Sequence, residues 1–195
     1  FEFLDLQVFQ MISRYVEIDG RPYVMEMIQN LDESIQIDQE GYDKLISKLS
    51  GYNEKLYTDV MTGIYNRRFF EEKIKNMEDE AGIAVIDLDD FKLANDTYGH
   101  DYGDALLYEF SKIILEMQID NSFLARYGGD EFVLVKSNIE GKNEIKGILD
   151  NIIKKLSNPL IIKDREIYST LSIGVSIYPF DGKDIGILLK RSDMA

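Results

Sequence analysis

Residues 82–88 read Gly-Ile-Ala-Val-Ile-Asp-Leu, an apolar run broken only by the carboxylate of Asp87 near its end. A run of that length, rich in β-branched residues, is a buried strand, and a buried strand needs partner strands on its flanks and helices over its faces. The rest of the second half of the chain has the pattern to supply them. Residues 66–77 read as a helix. Leu106, Leu107, Phe110, Ile113, Ile114 and Met117 recur at helical spacing across 103–117. Short strands at 123–127 and 131–136 flank Gly128-Gly129 as a hairpin. A helix near 142–156, strands near 159–163 and 166–177, and a helix from about 183 follow. This order predicts an α/β (α+β) fold with a central, mainly antiparallel sheet flanked by helices.

The N-terminal part is different. Residues 8–31 read as two strands around Asp19-Gly20-Arg21-Pro22, a hairpin signature. Two strands do not stand alone. They read either as the tail of a domain spanning 1–37 or as a hairpin packed on the domain that follows. The pair resembles the last two strands of a PAS sensor domain. Over 38–57, Tyr42, Leu45, Leu49, Tyr52 and Leu56 repeat every three or four residues, the stripe of a linker helix, either pairing with a second copy or packing on its own domain. The main domain is then 58–195.

Charge narrows the possible ligands. The 195 residues carry 22 Lys and Arg against 36 Asp and Glu, a net charge of −14. Such a chain repels polynucleotides and anionic membrane surfaces, so neither is expected as a partner. A small phosphorylated ligand is compatible if metal ions offset the local charge. There is no Cys and no apolar run long enough to span a bilayer, which fits a cytoplasmic domain whose parent protein could still be membrane-anchored.

The chemistry sits at two places. Strand 82–88 ends in Asp87-Leu88-Asp89, and the period of two puts both carboxylates on one face. Adjacent carboxylates repel, and a hard cation such as Mg²⁺ relieves them while taking further ligands from water and phosphate. Asp87 reads as a metal ligand, and Asp89 reads equally as a ligand or as the cap of the next helix. The second place is Arg126-Tyr127-Gly128-Gly129-Asp130-Glu131-Phe132, two glycines for a tight turn and two acids at its exit. Together these segments suggest a two-metal phosphoryl-transfer site.

Gly128-Gly129-Asp130-Glu131-Phe132 is the signature of the GGDEF family of diguanylate cyclases, and the chain resembles that family from Asp59 to Ala195. Asp59-Val60-Met61-Thr62-Gly63-Ile64-Tyr65-Asn66-Arg67-Arg68 is similar to the family's opening D-x-L-T-G-L-x-N-R-R. Asp87 to His100 is similar to D-x-D-x-F-K-x-x-N-D-x-x-G-H, followed by Gly103-Asp104. Leu171 to Ser176 resembles its later S-x-G strand. The resemblance implies a fold like the palm of nucleotide cyclases and polymerases. It also implies condensation of two GTP into cyclic di-GMP by a homodimer under an N-terminal sensor domain. Two Mg²⁺ or Mn²⁺ ions per active site would be held by Asp87, Asp130 and the carbonyl of Leu88. Asp130 and Glu131 would be catalytic. Asn95 and Asp104 would read guanine. Lys92, the backbone of Asp90 and Phe91, and Gly128 and Gly129 would serve the phosphates. His100, Phe91 and Phe132 read as structural side chains.

Two departures stand out. The R-x-x-D product-inhibition site of many members is Ile119-Asp120-Asn121-Ser122 here, so that site is absent. The chain also ends at Ala195, before the family's A-L-Y-x-A-K and G-R-N segments, so the domain reads as C-terminally truncated. The alternative function is therefore a catalytically impaired domain that binds GTP as a sensor or interaction module.

Overall fold

The computed structural model describes residues 9–30, 51, 54–163 and 165–192. The chain divides into two compact units, Phe1–Lys55 and Leu56–Ala195. In the second unit β4 (Ala81–Leu88) is the central strand, as its apolar sequence requires. It lies antiparallel to β6 (Glu131–Ser137) on one side and to β9 (Leu171–Tyr178) on the other. Beyond β6 come β5 (Ser122–Gly128), antiparallel, and the two-residue β3 (Tyr65–Asn66), parallel to β5. The sheet order is β3-β5-β6-β4-β9.

Alternation along these strands produces two cores. Ala84, Ile86, Leu88, Leu124, Phe132 and Leu134 face α3 (His100–Glu116) and α4 (Lys142–Leu156), meeting Leu106, Leu107, Phe110, Ile145 and Ile152. Ala81, Ile83, Ala125, Val133 and Val135 face the opposite way, onto Phe70 and Ile74 of α1 (Arg67–Lys75) and Leu188 of α5 (Ile185–Ser192). At Gly174 of β9 a Cβ would strike the backbone carbonyl of Ser192, so the glycine lets the end of α5 lie directly on the strand. Phe132 is wholly buried and Phe91 half-buried against the first core, both structural as expected.

Three details differ from the expected elements. The helix expected directly after Asp89 is α2 (Phe91–Tyr98), separate from α3, which begins at His100 rather than near 103. The break falls at Gly99, whose φ of 89° suits only glycine. The expected strand 166–177 is two strands, β8 (Arg165–Ile167) and β9. The first of these pairs with β7 (Leu160–Ile162) as a separate small hairpin. His100, read as a structural side chain, is exposed at the start of α3, and its side chain makes no hydrogen bond among the described residues.

In the first unit, β1 (Phe9–Ile18) and β2 (Arg21–Asn30) pair antiparallel. The turn is Asp19-Gly20, both at positive φ (52° and 72°), as a type I′ connection requires. The expected turn ran on through Arg21 and Pro22, but these already belong to β2. Tyr42, Leu45, Leu49 and Tyr52 of the linker stripe lie outside the described residues. Residues 54–57 are helical, and Leu56 is exposed.

Candidate functional site

The site forms where β4 runs out beside the β5–β6 turn. Asp87 and Glu131 are direct register partners on neighbouring strands, on the face that bears Ile83 and Val133. Like charges at such a pair repel. Asp130 joins them from the turn Gly129-Asp130, entered after an extra residue, Tyr127, bulges out of β5. Gly129 has a φ of 49°, and the Asp130 carbonyl accepts from the Leu88 amide at 3.4 Å. Burial, and after it the charges of Asp130, Glu131 and Asp89, raise the Asp87 carboxyl above its ordinary pKa. A divalent cation at this point would relieve that repulsion, and the donor set is all oxygen, which suits Mg²⁺ or Mn²⁺. Among the described residues no three His, Asp or Glu side chains converge on one metal position. A hard cation held by one or two carboxylates, with water and phosphate completing the shell, does not need them. The residues present fit that kind of ion.

Asp89 does not cap the next helix, whose N-cap is Asp90. Its two carboxylate oxygens accept from the hydroxyls of Thr170 (2.6 Å) and Ser172 (2.7 Å), tying the end of β4 to the start of β9. Those hydrogen bonds hold its pKa below the ordinary value.

On the other side of the carboxylates, Asp90 takes a left-handed conformation (φ 58°) and turns the chain into α2. No side chain caps this helix, so the first amides, from Phe91 onward, present donors for an anion. Lys92 is exposed on the first turn, and Gly128 and Gly129 are exposed on the facing hairpin.

Asn95 points from α2 onto the start of α3. Its Oδ1 is buried without a hydrogen-bond partner, as is the hydroxyl of Tyr102. A Cβ at Gly103 would overlap that oxygen and sit 2.8 Å from Cγ and 3.1 Å from Nδ2 of the same amide. Gly103 is thus the space in which the Asn95 amide lies. A buried carbonyl oxygen without a partner is uncommon in a folded protein. Asp104, next in sequence, is exposed.

Reading the sequence gave no role to Arg126 or Asp59. The Arg126 guanidinium donates to the Gly129 carbonyl through Nε (3.0 Å) and Nη2 (2.7 Å) and to Asp59 Oδ1 through Nη1 (3.2 Å). Asp59 also accepts from the amide (3.0 Å) and hydroxyl (2.7 Å) of Thr62. Burial opposes ionisation of Asp59, but Thr62 and Arg126 outweigh it and leave the pKa lowered. Asn66 caps α1 through the Phe69 amide and donates to the carbonyls of Leu56 and Thr58. The Asp-x-x-Thr spacing is the one local signal that a hydrogen-bonded turn stood there.

The family described as "Diguanylate cyclase, GGDEF domain" matches residues 56–195. The chain belongs to the GGDEF family. It is 34% identical over 143 residues, 71% of this chain and 22% of the other, to the cyclic di-GMP phosphodiesterase PdeR of Escherichia coli. To diguanylate cyclase A of Treponema denticola it is 33% identical over 153 residues, 73% of this chain and 41% of the other. The crystal structure of the GGDEF domain of YfiN (TpbB) from Pseudomonas aeruginosa matches with a TM-score of 0.64 and 30% identity, over 69% of this chain and 88% of that one. This is the mixed α/β, cyclase-palm fold of the family. The chain spans about a fifth of the length of the first curated relatives it matches, 22% in two cases. Among the described residues no helix is long and apolar enough to cross a membrane. At the position of the family's inhibitory site, the Ser122 hydroxyl donates to the Ile119 carbonyl at 2.7 Å, and neither residue carries a charge.

Proposed function

We propose that this domain is a diguanylate cyclase that joins two GTP into cyclic di-GMP with release of two pyrophosphates. The observation behind this reading is the opposition of Asp87 and Glu131 with Asp130 in the adjoining turn, a concentration of negative charge that raises the Asp87 pKa and suits a divalent ion. Bound Mg²⁺ or Mn²⁺ would be held by Asp87, Asp130 and the Leu88 carbonyl, and would neutralise phosphate charge and acidify the attacking 3′-hydroxyl. Asp130, with Glu131 beside it, takes the proton from that hydroxyl. Asn95 and Asp104 read the guanine edge, the carboxylate of Asp104 accepting from its N–H groups. Lys92 and the first amides of α2 hold the phosphates.

Each 3′-oxygen forms a bond to the α-phosphorus of the other GTP, and the bond from that phosphorus to the bridging oxygen of pyrophosphate breaks. One site holds one GTP, so the reaction needs two copies of the domain facing across a two-fold axis. In sequence, the stripe that includes Leu45 and Leu49 would suit a seam for that pairing, and a preceding sensor domain, of PAS type if the hairpin is its tail, would control it.

The second reading, a domain that binds GTP without turning it over, draws support from the match to PdeR, a protein named for cyclic di-GMP breakdown. One incubation separates the two. With GTP and Mg²⁺, chromatography should resolve cyclic di-GMP that disappears with a chelator. GTP binding by calorimetry with no product under any divalent ion would favour the second reading.

A further inference from the structure

We infer that Arg126 is a positioning residue for the Asp130 carboxylate and that Asp59 holds Arg126 in place to do it. The inference rests on the proposed site, in that Asp130 matters only if it serves the metal and the 3′-hydroxyl.

Gly129 and Asp130 form the whole turn between β5 and β6. A glycine at φ 49° is free to adopt other conformations, so nothing intrinsic to the turn fixes which way its central peptide points. Arg126 does fix it. Nε and Nη2 both donate to the Gly129 carbonyl, at 3.0 and 2.7 Å. Because the peptide unit is planar, pinning that oxygen also sets the Asp130 amide and Cα, and with them the direction in which the carboxylate leaves the backbone.

The third nitrogen, Nη1, lies 3.2 and 3.4 Å from the two oxygens of Asp59, a residue 67 positions away in sequence. Asp59 is itself immobilised. Its carboxylate accepts twice from Thr62, a residue only 5% exposed, and its backbone closes the turn through the Gly63 amide and the Ile64 carbonyl, each at 2.8 Å. The Arg126 and Asp59 side chains are 17% and 24% exposed, so solvent screens the pair only partly. All three guanidinium nitrogens are thereby engaged, two on the catalytic turn and one on the loop that opens the domain. Asn66 holds the carbonyls of Leu56 and Thr58 alongside, so the same strut joins the entry of the domain to Asp130.

The test compares the full chain with Arg126→Ala, Arg126→Lys and Asp59→Ala/Arg126→Ala. Two readouts are used, hydrogen exchange of the peptide covering 126–132 and the Mn²⁺ concentration giving half-maximal product. Arg126→Ala should speed exchange in that peptide while α3 and α4 stay protected. It should raise the Mn²⁺ requirement roughly 10–100-fold, the usual effect of losing a partner that orients a metal ligand, with KM for GTP at saturating metal little changed. Arg126→Lys should recover part of the Mn²⁺ shift, since one ammonium cannot serve both acceptors, and it carries the test if the alanine variant does not fold. Adding Asp59→Ala to Arg126→Ala should shift the Mn²⁺ requirement no further. Unchanged exchange in the turn, or an unchanged Mn²⁺ requirement, overturns the inference. A wild-type chain that makes no product overturns the proposed activity instead, and exchange then decides whether Arg126 holds the turn.

Discussion

Gly103→Ala should impair the enzyme without harming the fold. The residue lies in α3, where alanine is ordinarily preferred over glycine by about 0.8–1.0 kcal/mol. The nearest obstacle to that preference is the side chain of Asn95. The added Cβ would overlap Asn95 Oδ1 and lie 2.8 and 3.1 Å from the other heavy atoms of the amide, all at the movable end of the side chain. The amide swings away, and the helix keeps its place. Stability should therefore stay within about 1 kcal/mol of wild type, a change in Tm of roughly 2–4 °C or less for a domain of this size. The cost falls on guanine. Losing one well-placed hydrogen-bonding group costs about 1–3 kcal/mol, or roughly 5–150-fold in kcat/KM for GTP. Asn95→Ala should produce the same loss, and the double variant no more than either alone. Steady-state kinetics beside a thermal melt measure both halves. An unchanged kcat/KM in Gly103→Ala, with Asn95→Ala impaired, would show that the amide finds its position in spite of the methyl group.

Asp87→Asn should stop turnover yet stabilise the metal-free fold by about 0.2–1 kcal/mol at neutral pH, since it removes one of two opposed charges. A carboxyl with a raised folded pKa penalises the fold above that pKa and not below its unfolded value. The advantage of Asp87→Asn over wild type should therefore shrink as the pH of the melt falls toward the ordinary Asp range, and an advantage independent of pH would refute the assignment. Gly174→Ala should destabilise by about 1–3 kcal/mol, because its methyl meets the Ser192 backbone, which cannot rotate away; a denaturant midpoint equal to wild type would contradict this. Specific activity should rise with protein concentration and fall in Leu49→Glu, and a concentration-independent rate from a scattering-verified monomer would exclude the two-copy reaction.

The central strand, the β5–β6 hairpin and the two acidic clusters were legible from local sequence because each depends on a short pattern, although the turn proper is Gly129-Asp130 rather than the glycine pair, with Gly128 already paired in β5. The Asp89 hydroxyl clamp was not, since its partners Thr170 and Ser172 are brought in by the antiparallel pairing of β4 with β9. Arg126 was hidden for the same reason, with Asp59 far away in sequence. The division of 91–117 into two helices turned on Gly99, inside a segment whose apolar period does not mark the break. Gly103 stood in a quoted motif, but its purpose, clearing space for Asn95, is visible only when α2 lies against α3.

The most direct measurement follows cyclic di-GMP formation from GTP and Mg²⁺ by wild type and Asp130→Asn at matched concentration, with circular dichroism on both. Wild type should accumulate product, and the Asn variant should be folded and slower by orders of magnitude, because the amide keeps the size of the side chain and loses the charge that serves the metal and the proton. A folded Asp130→Asn that makes product at the wild-type rate would contradict the assignment of this site.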